Sequence, residues 1–325
     1  MGIQKLNVLI IDDLHPAFFE QDGMNKFEIT YLPQIKSSDV AQALKNQDIL
    51  VLRSKVQVNE NLCLYANRLK LIIRAGSGVD NLDIPWLEKI GIEIMSTPEA
   101  NAQAVAEHSL AILLNLLANI GKADREVRNR IWNRKLNRGD ELEGKTIGIV
   151  GFGNTGSRFA KLLGGFGVRI LAYDKYKTGF EQYGVKASDM DEIFSEADIV
   201  SVHVPLTLET TDLVNASYIN QFSKPIRLLN LSRGGIVNLA DVIDALSSHK
   251  IVGFGADVLP NENLNNLTDS ELKEFDQLCA MENVVLTPHI GGWTKQSYHR
   301  ISTSIAVKLT KFYEQGFEKR NTINA

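Results

Sequence analysis

Cysteine is nearly absent from this chain: only Cys63 and Cys279 occur among 325 residues. Neither has metal-ligand or redox spacing, which excludes a disulfide framework and fits a reducing compartment. An excess of basic charge is also lacking. The formal net charge is -4, and no long Lys/Arg run occurs, which argues against nucleic acid as the main partner. Long apolar runs are missing too. The most apolar helical stretch, residues 104–120, carries Glu107, His108, Asn115 and Asn119, so it reads as a buried helix and no membrane partner is expected. No signal-peptide pattern precedes the first strand-like run at 6–11, and a cytoplasmic location is expected. No His/Cys/Asp cluster has ligand spacing, so no metal is expected. What remains is ordinary globular composition, 44% hydrophobic and 23% charged, in a length suited to two domains.

The chain is organised around Thr146-Ile-Gly-Ile-Val150 and the following Gly151-Phe-Gly-Asn-Thr-Gly156. A β-branched apolar run reads as a buried parallel strand, and the glycine-rich turn opens a helix. Gly151 allows the tight turn, Gly153 lets backbone approach a pyrophosphate, and Gly156 lets helix and strand pack closely. The N–H groups of this turn, Asn154 and Thr155 included, would face the diphosphate. A second apolar run, 168–173, ends at Asp174, about 20 residues on, where a ribose diol would be bound. Asp174 disfavours the extra phosphate of NADP, so NAD is the expected cofactor, although Lys175 and Lys177 lie close by.

Strand patterns at 6–11, 28–31, 49–52, 71–73 and 92–95 alternate with helical segments before the glycine motif. After Thr97-Pro98 comes one long helical pattern, 99–123, and then a polar, basic stretch around Trp132, read as a solvated connection. A second series follows, with six strands at 146–150, 168–173, 199–204, 227–231, 252–257 and 284–286. Residues 260–280 read as an exposed loop and short helix, and 294–317 as an amphipathic helix. Alternation of this kind implies an α/β fold with two doubly wound parallel sheets.

Ligands of such sheets bind beyond the carboxyl ends of the strands. Three ends in the second series carry reactive side chains: Arg233 before two glycines, Asp257 with Glu262, and His289 within Thr287-Pro-His-Ile-Gly-Gly292. Together these suit hydride transfer at a 2-hydroxy acid. His289 would exchange the hydroxyl proton, Glu262 would orient the imidazole, and Arg233 would hold the substrate carboxylate and reacting oxygen. Taken singly, His289 reads as a loop residue, Arg233 as a surface turn, Glu262 as a solvated acid and Asp257 as a strand-end cap. His203 and Pro205, after the 199–204 strand, would line the cofactor or merely pack. Glu107 reads as a paired structural acid and His108 as a core or interdomain histidine, not a catalyst.

These motifs resemble the D-isomer-specific 2-hydroxyacid dehydrogenase family, and within it most of all the branch acting on 3-phosphoglycerate. The likeness runs over essentially the whole chain: Val51-Leu-Arg-Ser54, Arg74-Ala-Gly-Ser-Gly-Val-Asp-Asn81, Thr97-Pro-Glu-Ala-Asn101, the glycine motif, Ser201-Val-His-Val-Pro-Leu206, Ser232-Arg-Gly-Gly-Ile-Val237 and Thr287 to Gly292. The resemblance implies Arg233, Glu262 and His289 as the catalytic set, with Asp257 beside the cofactor. It further implies a Rossmann NAD-binding domain, 99–291, inserted into a flavodoxin-like substrate domain of 1–98 and 292–325, and a homodimer. It places Arg53 and Arg74 at the phosphate end of the substrate, while the Gly76-Ser77-Gly78 backbone would offer N–H donors to the carboxylate, and Ser54 and Asn101 are further candidate substrate ligands. Asn101 alternatively caps the helix it begins.

Two departures stand out. Asn263 replaces the usual proline after the catalytic glutamate and is expected to loosen that loop. Trp293 replaces a small residue and is expected to trim the cleft towards a smaller acid. A C-terminal serine-sensing domain is not expected. The other readings are a glyoxylate or hydroxypyruvate reductase, and, from a different class, an NAD-sensing corepressor-like binding protein.

Overall fold

The computed structural model describes residues 5–181 and 184–323, the last seven by backbone alone. The chain divides into two compact units, Met1–Asn101 with Trp293–Ala325, and Ala102–Gly292. Each is built on one parallel sheet.

The first unit contains strands β1 (Leu6–Ile10), β2 (Phe27–Tyr31), β3 (Ile49–Leu52), β4 (Leu71–Arg74) and β5 (Glu93–Ser96), in the order β2-β1-β3-β4-β5. That is the flavodoxin-like doubly wound order. Alternation along β1 sends Val8 and Ile10 to one core layer and Leu9 to the other. Ile301, Ile305 and Leu309 from helix Lys295–Ile323 complete the first layer.

The second unit contains β6 (Thr146–Val150), β7 (Arg169–Tyr173), β8 (Val185–Ala187), β9 (Ile199–Val202), β10 (Ile226–Asn230), β11 (Ile251–Ala256) and β12 (Val284–Leu286). Their order is β12-β11-β10-β9-β6-β7-β8, with every pairing parallel. Seven strands replace the six expected. The extra one, β8, is a three-residue edge strand, Val-Lys-Ala, too short to show as an apolar run. It sits outside β7, as the doubly wound order requires of the third strand.

The helical pattern at 99–123 is not one helix. It breaks at Asn119, whose backbone is left-handed with φ 53°, into Pro98–Ala118 and Ile120–Arg128, bent by 63°. Asn115 Oδ1 accepts the Gly121 N–H at 2.8 Å across the break. Among the described residues no single helix is long and apolar enough to cross a membrane.

Helix Pro98–Ala118 lies against the second sheet because β11 offers it a glycine. A Cβ on Gly255 would meet Ile112 Cγ2 at 2.3 Å and Leu229 Cδ2 at 2.8 Å. Both contacts fall inside a close-packed layer with little room to relax. Gly255→Ala should therefore destabilise the fold by about 1–3 kcal/mol in urea unfolding, and an unchanged midpoint would show that the layer yields freely.

Candidate active site

Five adjacent strands of the second sheet, β6, β9, β10, β11 and β12, end beside one another, and each runs into a segment carrying a candidate residue. Beyond β6 the chain turns at Gly151, with φ 94°, where a Cβ would meet the His203 carbonyl oxygen at 2.6 Å. Gly156 lies so close to the turn that a Cβ would come within 2.1 Å of Gly151 O. Gly153 is different, since a Cβ there would meet open space. It is also the N-cap of helix Asn154–Leu163 and has no capping side chain. Open space over uncapped N–H groups suits a diphosphate.

Asp174 follows β7 and binds back to the turn. Its Oδ2 accepts the Phe152 N–H at 2.8 Å, and its Oδ1 accepts that of Tyr176 at 3.0 Å. A carboxylate has about four acceptor sites, so two remain for a ribose diol, and the donor set fits a dinucleotide. Of the neighbouring cations, Lys175 is held by Glu209 at 2.9 Å, and Lys177 reaches Phe152 O at 3.4 Å.

His203 begins the segment after β9. Its Nε2 lies 2.8 Å from Ser201 Oγ, and its ring leans on Phe159. Burial pushes the imidazole pKa down to about 4, so the ring is neutral near pH 7. Pro205, two residues on, is exposed, and its carbonyl accepts the Thr210 hydroxyl at 2.6 Å.

After β10, the Asn230 side chain ties Arg233 O at 2.9 Å, while Arg233 Nη1 donates to Ser232 O at 2.6 Å. The following Gly234 packs directly on the loop beyond β11, where a Cβ would lie 2.0 Å from the Leu259 carbonyl carbon. That loop carries Glu262. Asn263, expected to loosen this loop, makes a backbone bond of its own there. Asn261 Oδ1 accepts the Asn263 N–H at 3.0 Å, a bond that proline could not donate, and Asn261 Nδ2 reaches Glu271 Oε1 at 3.2 Å.

Beyond β12, His289 is left-handed, with φ 55°, and its Nδ1 lies 2.9 Å from Glu262. A carboxylate only accepts, so Nδ1 carries the proton and Nε2 presents the lone pair. The unusual backbone is held by Asp257, which is 2% exposed. Its carbonyl accepts the His289 N–H at 2.8 Å. Its carboxylate accepts the Ile290 and Gly291 N–H groups at 2.9 and 2.7 Å and the Thr287 hydroxyl at 2.5 Å. Because Thr287 gives its proton to Asp257, His108 Nε2, 3.0 Å from Thr287 Oγ1, must be a donor. His108 is thus a polar member of the site's support, and nothing in its helical sequence context signalled that. Glu107 is exposed and bonded to Gln103 at 2.7 Å, not ion-paired.

The remaining candidates belong to the first unit and follow its own strand ends. Arg53 comes after β3, and its backbone N–H donates to Asp12 Oδ2 at 2.6 Å. Ser54, next to it, is exposed. Arg74 ends β4 and folds over its own turn, so that a Cβ on Gly76 would lie 1.8 Å from Arg74 Nη1. Ser77 and Gly78 are half-buried. Asn101 does not cap its helix, which already begins at Pro98. Its Oδ1 is buried without a hydrogen-bond partner among the described residues. No group of three or more metal-ligating side chains occurs among them.

Residues 110–291 match the sequence profile of the D-isomer specific 2-hydroxyacid dehydrogenase, NAD binding domain. The chain is 34% identical to D-3-phosphoglycerate dehydrogenase of Synechocystis sp. over 93% of its own length and 55% of the relative's. For the enzyme of that name from Bacillus subtilis the figures are 34%, 93% and 57%. The chain therefore spans little more than half the length of these relatives. Hydroxypyruvate reductase of Thermotoga maritima is 32% identical over 89% of the chain and 92% of the relative. Among solved structures, D-lactate dehydrogenase from Aquifex aeolicus, complexed with NAD and lactic acid, superposes with a TM-score of 0.84 at 26% identity, covering 96% of each chain.

One consequence of the site can be measured without a substrate. An unfolded histidine titrates near 6.5, whereas His203 in place does so at about 4. As pH falls below 6.5 the unfolded chain gains a proton that the folded one does not. Stability present at neutral pH is thereby lost, by about 2 kcal/mol at pH 5. His203→Gln should lose less stability than wild type between pH 7 and pH 5 in urea unfolding. Equal losses would place the His203 ring in water.

Proposed function

Because the chain belongs to the D-isomer specific 2-hydroxyacid dehydrogenase family, we propose that it is an NAD-dependent dehydrogenase oxidising 3-phosphoglycerate to 3-phosphohydroxypyruvate. This would be the entry to serine biosynthesis, carried out in the cytoplasm. The observation that carries the reaction class is the 2.9 Å contact of His289 Nδ1 with Glu262. It fixes the tautomer and leaves Nε2 as the base.

NAD would supply the hydride acceptor, held by the N–H groups of Gly151, Gly153, Asn154, Thr155 and Gly156, with Asp174 on the ribose diol and His203, Pro205 and Asp257 beside it. The chain's own residues handle the proton and the charge. His289 Nε2 takes the hydroxyl proton, and Glu262 stabilises the imidazolium that results. In reduction the proton returns to the carbonyl oxygen. Arg233 holds the carboxylate and the reacting oxygen, where negative charge grows in the transition state.

For the substrate's carboxylate the reading assigns the Gly76–Gly78 backbone, with Ser54 and Asn101 as further substrate ligands, and for its phosphate Arg53 and Arg74. Arginine's forked donors suit such a group. The alternative, a hydroxypyruvate or glyoxylate reductase, is favoured by the near-complete span of the Thermotoga relative. Either enzyme would be a homodimer. Ile120, Val127, Ile131, Trp132 and Leu136 are all exposed along one short segment, Trp132 by 79%, and apolar surface so gathered suits a second copy.

Two experiments test the reading. His289→Ala should lower kcat by about 10²–10⁴-fold while NADH still binds, and undiminished turnover would remove His289 from the chemistry. NADH oxidation with 3-phosphohydroxypyruvate, hydroxypyruvate and glyoxylate, in wild type and Arg53→Ala, decides the substrate. A preference for the phosphorylated acid that collapses in the variant is expected. Equal use of all three acids, with Arg53→Ala indifferent, would favour the reductase.

A further inference from the structure

Trp293 was expected to trim the space available to substrate. Its actual neighbour is Arg53: the guanidinium carbon lies 4.9 Å from the centre of the indole ring. The indole is otherwise 70% exposed, so burial does not account for its position. A large apolar side chain left in water against a cation is better explained by the cation.

The surroundings of Arg53 strengthen the point. Among the described residues no carboxylate or carbonyl takes its guanidinium N–H groups, although two aspartates stand close in sequence at the end of β1. Asp12 is taken by the Arg53 backbone N–H at 2.6 Å and lies 4.0 Å from Lys55 Nζ. Asp13 accepts the hydroxyls of Tyr31, at 2.9 Å, and Tyr298. The nearby acids are thus committed elsewhere, and a half-buried guanidinium keeps its forked edge for another partner.

We infer that Trp293 is a positioning residue, which stacks on one face of the Arg53 guanidinium and holds its N–H edge ready for a tetrahedral or planar oxyanion of the substrate. The inference rests on the reading of Arg53 as a substrate ligand. Stacking restrains a long side chain before the ligand arrives, so less freedom is lost on binding. Stacked in this way, the ring would leave the in-plane donors untouched. Trp293 in this role sets affinity for the anionic end of the substrate and takes no part in proton transfer.

The test compares Trp293→Leu, which keeps bulk without a π face, with Trp293→Phe, which keeps a ring, and with Arg53→Ala. Each is assayed for NADH oxidation with 3-phosphohydroxypyruvate and glyoxylate, with inorganic phosphate as competitor. In Trp293→Leu, KM for the phosphorylated acid relative to glyoxylate and the inhibition constant of phosphate should both rise, by roughly threefold to tenfold. The change should fall on KM and not on kcat, and Trp293→Phe should recover most of it. If Arg53→Ala weakens phosphate and phosphorylated substrate while Trp293→Leu matches wild type, the positioning role is wrong and the substrate reading stands. A Trp293→Leu variant that gains turnover of bulkier acids would make Trp293 a steric gate and also overturn the inference. If Arg53→Ala changes neither KM nor phosphate inhibition, both readings fall together.

Discussion

The geometry beyond the strand ends of the second unit depends on one buried carboxylate. Asp257 gathers two backbone N–H groups and a hydroxyl on its side chain, with His108 at 3.4 Å, and its carbonyl takes the N–H of His289 itself. Burial alone would push its pKa up, but the donors from His108, Thr287, Gly291 and Ile290 outweigh that and hold it below the usual carboxylate range. An ionised group in so enclosed a place is tolerable only because its acceptor sites are filled. What this arrangement achieves is geometric. A histidine at φ 55° is a conformation that L residues adopt at a cost. The surrounding hydrogen bonds determine it, and so determine where the His289 ring points.

The same logic explains why the reactive residues lie on loops and not on strands. Five of the seven strands of the second sheet are buried along most of their length, β6 and β9 completely, which leaves little room for a working polar side chain. Only past the carboxyl end does the chain leave the sheet, and there neighbouring loops can brace one another. Gly234 against Leu259 and Gly151 against His203 O are two such braces, each requiring a glycine because backbone meets backbone. The family's sequence profile covers residues 110–291, within this unit. The preorganisation lies in contacts between consecutive loops more than in any single side chain.

Much of this was legible in the sequence. Apolar, β-branched runs locate eleven of the twelve strands, since a parallel sheet covered on both faces leaves a continuous hydrophobic signal. The glycine turn was readable because its spacing reflects a tight turn and a close approach, and Asp174 stands just past β7, bonded back to that turn. The strand β8 was not, because three residues at a sheet edge carry no pattern. Nor was the break at Asn119, since its composition continues the helix and only the αL backbone and the Asn115 bond stop it. His108 looked like core, and its hydrogen bond to Thr287, 179 residues away, is a purely tertiary fact. The bond from the Asn263 N–H to Asn261 is likewise a local fact that the missing proline alone does not reveal.

Where the cations are already committed narrows which anions each unit can accept. Near Asp174, Lys175 is paired with Glu209, so recruiting it to a ribose phosphate would break an existing contact beside a carboxylate that already repels the newcomer. An unphosphorylated diol meets no such opposition, in accord with NAD as the cofactor of this fold. At the end of β3 the balance is reversed. Asp12 and Asp13 are satisfied by other donors, and Arg53 stacks on an aromatic face, which contributes to its stability without neutralising its charge. An anion arriving there displaces no ion pair among the described residues, so its attraction to the guanidinium is offset chiefly by desolvation. Hydrogen-bond bookkeeping within the folded chain thus favours a plain diol at one strand end and an oxyanion at another.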